Sequence, residues 1–410
     1  MSEFINNSAK RKKKIADALK RIHQGESAEQ VLAEFADVLR NASASEISDI
    51  EQSLIADGMP IEVIQYLCDA HVAVFKESLD HSPPVDMLPG HPIYSFRAEN
   101  EMVALLLNDL KMILSKGGED IFSDESNLLT EKFLRLKEFN AHYERKENIL
   151  FPYLEKVDFT GPSSVMWGIH DEIRGGWKEM ISALGNVSTD PPDRLRRIKG
   201  LFSEIENKMR EMIYKEEKIL FPAALERLTQ ADWLAMATQE DEIGFCYIQR
   251  GNEWPGSKNQ RNKENINKKH KTEVLEMKAY PLSTGDLSIS QMNLMLTHLP
   301  VDITYVDMND EVRFYSETPN RIFKRTAAII GRKVQNCHPP ASMGKVQEIL
   351  DDFRAGKREN AEFWIQMDGL FIHIEYFALR DQDGAYQGAL EVSQEITHLR
   401  ELEGEKRLLS

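Results

Sequence analysis

The stretches HYERKENILFPYLEK at 142–156 and MIYKEEKILFPAALE at 212–226 share the ending Glu-x-Ile-Leu-Phe-Pro. Both lie at the end of a long segment whose apolar residues recur every three or four positions, which is the period of an amphipathic helix. Each stretch reaches a proline, which lacks the backbone N–H that continues a helix. The repeat therefore predicts two equivalent helices, each ending in a proline break, within one helical domain.

Four amphipathic segments contain or flank this repeat, at about 91–116, 126–156, 163–185 and 191–228. The links between them are short and rich in turn residues. Long helices with short links pack as antiparallel neighbours. We therefore predict an up-down four-helix bundle over 88–230.

The rest of the chain divides into further regions, because 410 residues exceed what one core normally holds. A small all-α domain is predicted at 10–80, a linker or connecting segment at 231–287, and an α+β domain at 288–400. The last prediction rests on two short strands, a helical middle and three further strands, which together form one antiparallel sheet. The fold class is multi-domain, with an all-α region followed by an α+β domain.

Composition excludes several classes of partner. The net charge of −16 disfavours nucleic acid, because phosphate binding needs a basic face. No apolar run is as long as a membrane span, and the basic start of the chain lacks the apolar segment of a signal peptide. The three cysteines are odd in number and far apart, which argues against a disulfide framework. We expect a cytoplasmic protein with reduced thiols and no membrane partner.

Polar residues interrupt the apolar face of every bundle helix. In the third helix His170 lies between Met166 and Ile173, and in the fourth Glu216 continues a stripe that includes Met212. The residues predicted to converge on the interior, or to stand beside it near a helix start, are His91, Glu99, His142, Glu147, His170, Glu216 and Glu217.

Several buried carboxylates that converge need a positive charge among them. Lys146 and Arg145 are close enough to be considered. A bound metal ion meets the need better, because imidazole with carboxylate is a ligand mixture that suits iron, manganese or zinc. The seven polar residues are therefore the candidate metal ligands. The alternative is that each is partly exposed near a helix end, with His170 a hydrogen-bonded core histidine.

The paired KENILFP and KEEKILFP phrases, with His91, His142 and His170 on successive helices, resemble the hemerythrin-like HHE cation-binding family. The resemblance covers about 90–228. It implies an up-down four-helix bundle that holds a non-haem di-iron centre, which is the first expectation for the cofactor.

The chain departs from that family at two positions. Lys146 stands where the family usually has glutamate, and Met212 stands where it usually has histidine. These departures put oxygen carriage in doubt. They leave open an altered di-iron site, a single-metal site, or haem held by histidine with Met212 as a second axial ligand.

The opening region resembles a helical domain of unknown function that commonly precedes hemerythrin-like bundles. The resemblance rests on GMPIEVIQYLCDAHVAVFKESL at 58–79. Cys68 and His71 are three residues apart on one helix, so their side chains face the same way. They are candidate metal or haem ligands, or a redox-sensitive pair. The alternative is that Cys68 is a small buried residue.

The region at about 289–400 resembles a PAS domain, which implies binding of a small molecule or light-absorbing cofactor, or dimerisation without one. The candidate cofactor-binding residues are Cys337 and His338, in NCHPPAS. The alternative is that this motif is only a turn between a helix and a loop, because two prolines follow it. The ligand of this domain is unidentified.

Together these features predict a cytoplasmic metal-binding sensor or regulator that binds iron and responds to oxygen, nitric oxide or redox state. Its output would pass through the PAS domain to an unidentified protein partner or a homodimer, since no catalytic motif is present. We do not expect an enzyme. One alternative is a non-haem iron protein that detoxifies oxygen or nitric oxide, or supports iron–sulfur cluster repair. The other is a metal-free scaffold.

Overall fold

The structure is a computed structural model. It describes residues 87–116, 125–186, 190–254, 279–319, 321–367 and 369–406, and a few isolated positions between 14 and 53. The chain separates into two compact units, at Met1–Ser257 and Lys258–Ser410. Cys68 and His71, with most of the predicted domain at 10–80, lie outside the described residues, as do positions 255–278.

The first unit contains four long helical rods. Two of them contain a π turn and further short helices, so the four rods comprise more than four elements. The elements are α1 (Pro92–Lys116), α2 (Glu125–Lys137), α3 (Asn140–Arg145), π1 (Lys146–Leu150), α4 (Phe151–Glu155), α5 (Gly161–Gly185), α6 (Pro191–Lys215), π2 (Glu216–Leu220) and α7 (Phe221–Arg227). Rod 1 is α1, rod 2 runs from α2 to α4, rod 3 is α5, and rod 4 runs from α6 to α7. Short links join successive rods, which confirms the predicted up-down bundle.

The two Leu-Phe-Pro endings do not break their helices, contrary to the sequence prediction. A π turn precedes each proline, and the rod continues beyond it. The N–H of Phe151 donates to the carbonyl of Lys146, five residues earlier, and Phe221 donates to Glu216 in the same way. A π turn accommodates proline within a helix because it disturbs the regular ladder that proline cannot join. Such turns are frequent at functional sites.

The core of the first unit lies between the four rods, as the apolar registers predict. In α5 the stripe that contains His170 is buried, with Ile173 and Trp177 at 0% and 2% exposure. Rods 3 and 4 approach closely at Gly176, where a Cβ atom would lie 2.8 Å from Ile205 Cγ1. Any side chain at Gly176 would therefore push these rods apart.

The first unit includes a fifth helix, α8 (Gln230–Ile243), in the region where the sequence predicts a linker or connecting segment over 231–287. Thr229 and Asp232 form a capping box that starts it, and each side chain bonds the other residue's backbone N–H. Trp233 is only 4% exposed. The helix packs against the bundle because its apolar residues recur at helical spacing and need cover.

The second unit is an α+β domain with one main antiparallel sheet, as predicted. Its elements are β1 (Ala279–Pro281), β2 (Asp286–Ser288), α9 (Ile289–His298), β3 (Asp302–Asp307), β4 (Val312–Tyr315), α10 (Pro340–Arg354), β5 (Asn360–Met367), β6 (Leu370–Arg380) and β7 (Tyr386–Glu395). The strand order is β4-β3-β7-β6-β5, and β1 pairs with β2 in a separate hairpin. Short 3₁₀ turns lie at Ala327–Ile329, Val334–Cys337 and Leu399–Glu401.

Links between the strands of this sheet contain residues with positive φ. Asp310, between β3 and β4, has a φ of 64°, and Gly384, between β6 and β7, has a φ of 81°. Helix α10 packs its apolar side, including the fully buried Phe353, against one face of the sheet. That face carries alternate residues of each strand, because side chains alternate along a strand.

Among the described residues, no helix combines the length and the apolar character that crossing a bilayer requires.

Candidate functional site

A buried histidine lies between two glutamates at the centre of the bundle. His142 Nδ1 is 2.9 Å from Glu99 Oε2, and His142 Nε2 is 3.1 Å from Glu216 Oε2. All three side chains have no exposed surface. Both nitrogens of this imidazole are therefore in contact with carboxylates, one from rod 1 and one from rod 4.

Lys146 brings an ammonium group to the same place. Its Nζ donates to Glu216 Oε1 and lies 2.9 Å from His170 Nε2. Burial lowers the pKa of Lys146, and the charge of Glu216 opposes this effect. Burial alone would raise the pKa of Glu216, but Lys146 and His142 bring it down to about 2. The carboxylate of Glu216 is therefore ionised at neutral pH.

Arg145, one residue earlier, binds Glu99. Its Nη2 donates to Glu99 Oε2, and its Nη1 is 3.4 Å from Glu240 Oε1 on α8. Its guanidinium carbon also lies 4.4 Å from the centre of the Phe245 ring. Burial alone would raise the pKa of Glu99, but Arg145 and His142 hold it below its usual value. Glu99 also accepts from the backbone N–H of Cys246 at 2.9 Å.

His170 connects this cluster to a third ion pair. Its Nδ1 is 2.7 Å from Glu147 Oε1, and Arg174 Nη2 donates to both oxygens of Glu147 at 2.8 Å. Burial, with the charges of Lys146 and Arg174, keeps the pKa of His170 well below its usual value. The ring is therefore neutral, so Nδ1–H donates to Glu147 and Nε2 accepts from Lys146. Burial raises the pKa of Glu147 to about 7, although Arg174 opposes it.

These contacts make one continuous chain that joins all four rods and α8, and we call it the ion-pair network. Its members, in order of contact, are Glu240, Arg145, Glu99, His142, Glu216, Lys146, His170, Glu147 and Arg174. Its four carboxylates face the cationic groups of Arg145, Lys146 and Arg174, and two of them also contact the ring nitrogens of His142. The positive charge that the buried carboxylates need is thus present within the chain itself.

Two of the candidate metal ligands have other roles. His91 precedes α1, where its Nδ1 accepts from the N–H of Ile93 at 3.1 Å, so it caps the helix. Its ring packs against Trp233 and Trp254, at 4.8 Å between centroids in each case. Glu217 instead pairs with Arg97, at 2.8 Å.

Met212, which the sequence suggested as a second axial ligand of haem, is 1% exposed and belongs to the apolar core.

The arrangement does not fit the di-iron centre that the resemblance implies, nor the haem that the departures from the family left open. Both nitrogens of His142 and both of His170 are already held by carboxylates or by Lys146. Within the described ranges, no group of three His, Cys, Asp or Glu side chains is placed to hold a metal ion. Some buried atoms have no partner, including the Tyr143 hydroxyl and Asn100 Oδ1. A neutral phenol and an amide oxygen are weak substitutes for the imidazole and carboxylate that iron prefers.

The second unit has a cavity of about 220 Å³ between α10 and the sheet, which we call the sheet–helix cavity. Most of its wall is apolar, and its polar groups come from His338, Ser342, Lys345, Tyr376 and Glu391. His338 was a predicted cofactor-binding residue, and the structure places it at this cavity. Burial lowers its pKa, although Glu391 opposes the effect.

Cys337, its predicted partner, belongs to the core cluster instead, with Sγ 3.8 Å from the carbonyl oxygen of Lys333.

Sequence reasoning missed two members of the network. Glu240 lies in the segment predicted as a linker or connecting segment, but it falls on the apolar stripe of α8, three residues after Ala237 and three before Ile243. That register would have identified it as inward-facing. Arg174 follows His170 by one helical turn, so an acidic partner shared by both residues could have been anticipated.

Comparison with protein-family models matches three parts of the chain. Residues 15–81 match a family of unknown function, DUF438. Residues 91–224 match the hemerythrin HHE cation-binding domain, and residues 292–397 match a PAS domain. No curated protein matches the chain.

Solved structures give further similarities. A crystal structure of a C-terminal domain from Streptococcus mutans has 38% identity over 31% of this chain and 99% of that chain, with a TM-score of 0.30. The PAS domain of Bordetella pertussis BvgS has 19% identity over 28% of this chain and 92% of that chain, with a TM-score of 0.23. A sensory box sensor histidine kinase from Vibrio cholerae has 11% identity over 32% of this chain and 98% of that chain, with a TM-score of 0.21.

The family matches, the helical bundle and the antiparallel sheet agree on one architecture. The chain is a multidomain protein in which a DUF438 segment, a hemerythrin HHE cation-binding domain and a PAS domain follow one another.

Proposed function

We propose that this protein is a sensor or regulator whose PAS domain binds a small molecule in the sheet–helix cavity. The observation that carries the proposal is the cavity itself, which lies under α10 and is open to a ligand of limited size. A cavity lined mainly by apolar side chains with a few polar groups is the usual form of a small-molecule site.

The lining defines the class of ligand. At about 220 Å³ the cavity is smaller than the sites that hold drug-sized molecules. Phe353, Phe363 and Ile374 supply apolar walls, while His338 and Tyr376 supply polar atoms. The chemistry favours a compact, largely apolar molecule with one polar group.

A binding event at this cavity can act as a signal if the ligand prefers one of two states of the domain. Helix α10 and the sheet form the opposite walls, so a ligand that prefers one spacing between them would favour one state. The output then passes to a protein partner or a second copy of the chain, because no catalytic constellation was found in the sequence.

Iron-based sensing of oxygen, nitric oxide or redox state is the function that the hemerythrin resemblance implies, and iron-dependent detoxification or cluster repair is its alternative. The match over 91–224 supports a cation-binding ancestry for the bundle. Each of these activities needs His142, His170 and Glu216 to be available to a metal. Their existing contacts with Lys146 and Glu99 oppose that requirement, so the PAS domain is the better supported sensing site.

We expect Ala389→Leu to block the sheet–helix cavity, since Ala389 lines it and the larger side chain would occupy its space. Calorimetric unfolding of the full chain would be followed with indole, benzoate or hexanoate as probes. At least one probe should raise the melting temperature of the wild type. Ala389→Leu should weaken that binding at least about tenfold, as pockets reject added methylenes by such factors.

Ala378→Leu is the matched control, because Ala378 on β6 is the direct partner of Ala389 on the neighbouring strand β7 but does not line the cavity. It should keep the response to the probe. The proposal would be wrong if no probe stabilised the wild type, or if Ala389→Leu responded as strongly as the wild type.

A further inference from the structure

We infer that the centre of the bundle is complete without a metal ion, because the Lys146 ammonium and the Arg145 guanidinium occupy the cation positions among its carboxylates and imidazoles. This inference concerns the ion-pair network. It uses only contacts within the first unit and none at the sheet–helix cavity.

The surroundings of Lys146 are those of a bound cation. Its Nζ contacts Glu216 from rod 4 and His170 from rod 3, and it lies 4.8 Å from the centre of the Tyr143 ring. An ammonium group has three hydrogens, so a carboxylate, an imidazole nitrogen and an aromatic face can satisfy all three directions. A metal ion bound to Glu216 and His170 would have to displace this ammonium from a fully buried position.

The internal repeat explains how the ion pair between Lys146 and Glu216 arises. Alignment of the two Glu-x-Ile-Leu-Phe-Pro endings places Lys146 opposite Glu216, and these are the first residues of π1 and π2. Equivalent positions of the two rods therefore carry opposite charges and bind each other. With glutamate at both positions, the centre would hold two neighbouring carboxylates and would require an added cation. Lysine at one of them removes that requirement.

Arg145 completes the other half of the centre. It donates to Glu99 from rod 1 and reaches Glu240 from α8, so one guanidinium serves two carboxylates. Its side chain has no exposed surface, and α8 covers this side of the bundle.

The decisive experiment is metal analysis of the full-length wild type, purified from iron-replete cells. We expect iron, manganese and zinc to be far below stoichiometric amounts. Anaerobic addition of Fe(II), or of Mn(II) or Zn(II), should not change the unfolding temperature of the first unit, and neither should a chelator. Stoichiometric metal that survives dialysis, with a fall in unfolding temperature on chelation, would overturn the inference.

Lys146→Glu tests the position itself, because it makes the two repeat positions identical. This variant should gain a metal-dependent rise in unfolding temperature that the wild type lacks. If Lys146→Glu folded and none of the three metals raised its unfolding temperature, the assignment of Lys146 to a cation position would be contradicted. If the variant does not fold without metal, refolding by one of the three metals supports the inference, and failure with all three contradicts it.

Discussion

Replacing Lys146 by methionine should lower the free energy of unfolding of the first unit by about 3–5 kcal/mol, the usual cost of removing one partner from a buried ion pair. Methionine retains most of the aliphatic stem, so the loss comes from charge and hydrogen bonding more than from packing. Glu216 would remain fully buried without its ammonium partner. Urea unfolding followed by tryptophan fluorescence measures the change, since Trp177 is buried in the core beside Tyr143.

The control for this prediction is Lys111→Met, the same substitution in the same bundle. Lys111 pairs with Glu206 at 3.1 Å, but its side chain is 66% exposed. Exposed pairs contribute little, so this variant should lose less than about 1 kcal/mol.

A second variant separates charge pairing from general disruption. In Lys146→Met with Glu216→Gln, the unpaired carboxylate is gone, so the double variant should lose much less than the sum of the two single losses. If Lys146→Met were as stable as the wild type, the ion-pair network would not be what neutralises the bundle centre.

The bundle and its inward polar residues could be predicted from the sequence because both depend on helical period. Glu99, His142, His170 and Glu216 fall on apolar registers, and all four are fully buried. The identity of the cation could not be obtained in the same way. Whether an interior charge comes from a side chain or from a metal depends on the direction of a long, flexible chain such as Lys146, and register does not determine that direction.

The π turns are the second reason why the sequence could not identify the cation at the bundle centre. A regular helix turns about 100° per residue, so three successive residues cannot all face one direction. Arg145, Lys146 and Glu147 are nevertheless all buried, at the point where π1 begins. The wider turn and the cover provided by α8 together enclose residues that an α-helical register would leave partly exposed. The proline of each repeat is a sequence signal for an irregular turn, but the sequence alone predicts a break there.

The strands of the PAS domain were predicted well because alternation and turn residues are local signals. Gly384 and Asp310 both adopt the positive φ that their turns need. The size of the sheet–helix cavity is not local, because it depends on the distance between α10 and strands distant in sequence. His338 could be proposed as a ligand-binding residue from its motif. Its neighbours in the cavity, Tyr376 and Glu391, belong to β6 and β7, which are distant from His338 in the sequence.

His91 should make the first unit less stable in acid, by up to about 3 kcal/mol between pH 6.5 and pH 4. Burial between two tryptophans lowers its pKa to about 4, from an ordinary value of 6.5, and no charged group contributes to this shift. Between these values the unfolded chain takes up a proton that the folded chain does not, so the free energy of unfolding falls as pH falls. One pKa unit corresponds to about 1.4 kcal/mol, and roughly 2 kcal/mol should already be lost at pH 5.

The variant His91→Asn isolates this contribution, because asparagine does not titrate and its side-chain oxygen can still accept from the N–H of Ile93. Urea unfolding at pH 7 and pH 5 would be compared for the two proteins, and the wild type should lose about 2 kcal/mol more than the variant. His298→Asn is the control, since His298 is exposed and belongs to the second unit. An equal acid loss in the wild type and His91→Asn would show that His91 is protonated in the folded protein at pH 5. In that case its ring would not be held neutral by burial between Trp233 and Trp254.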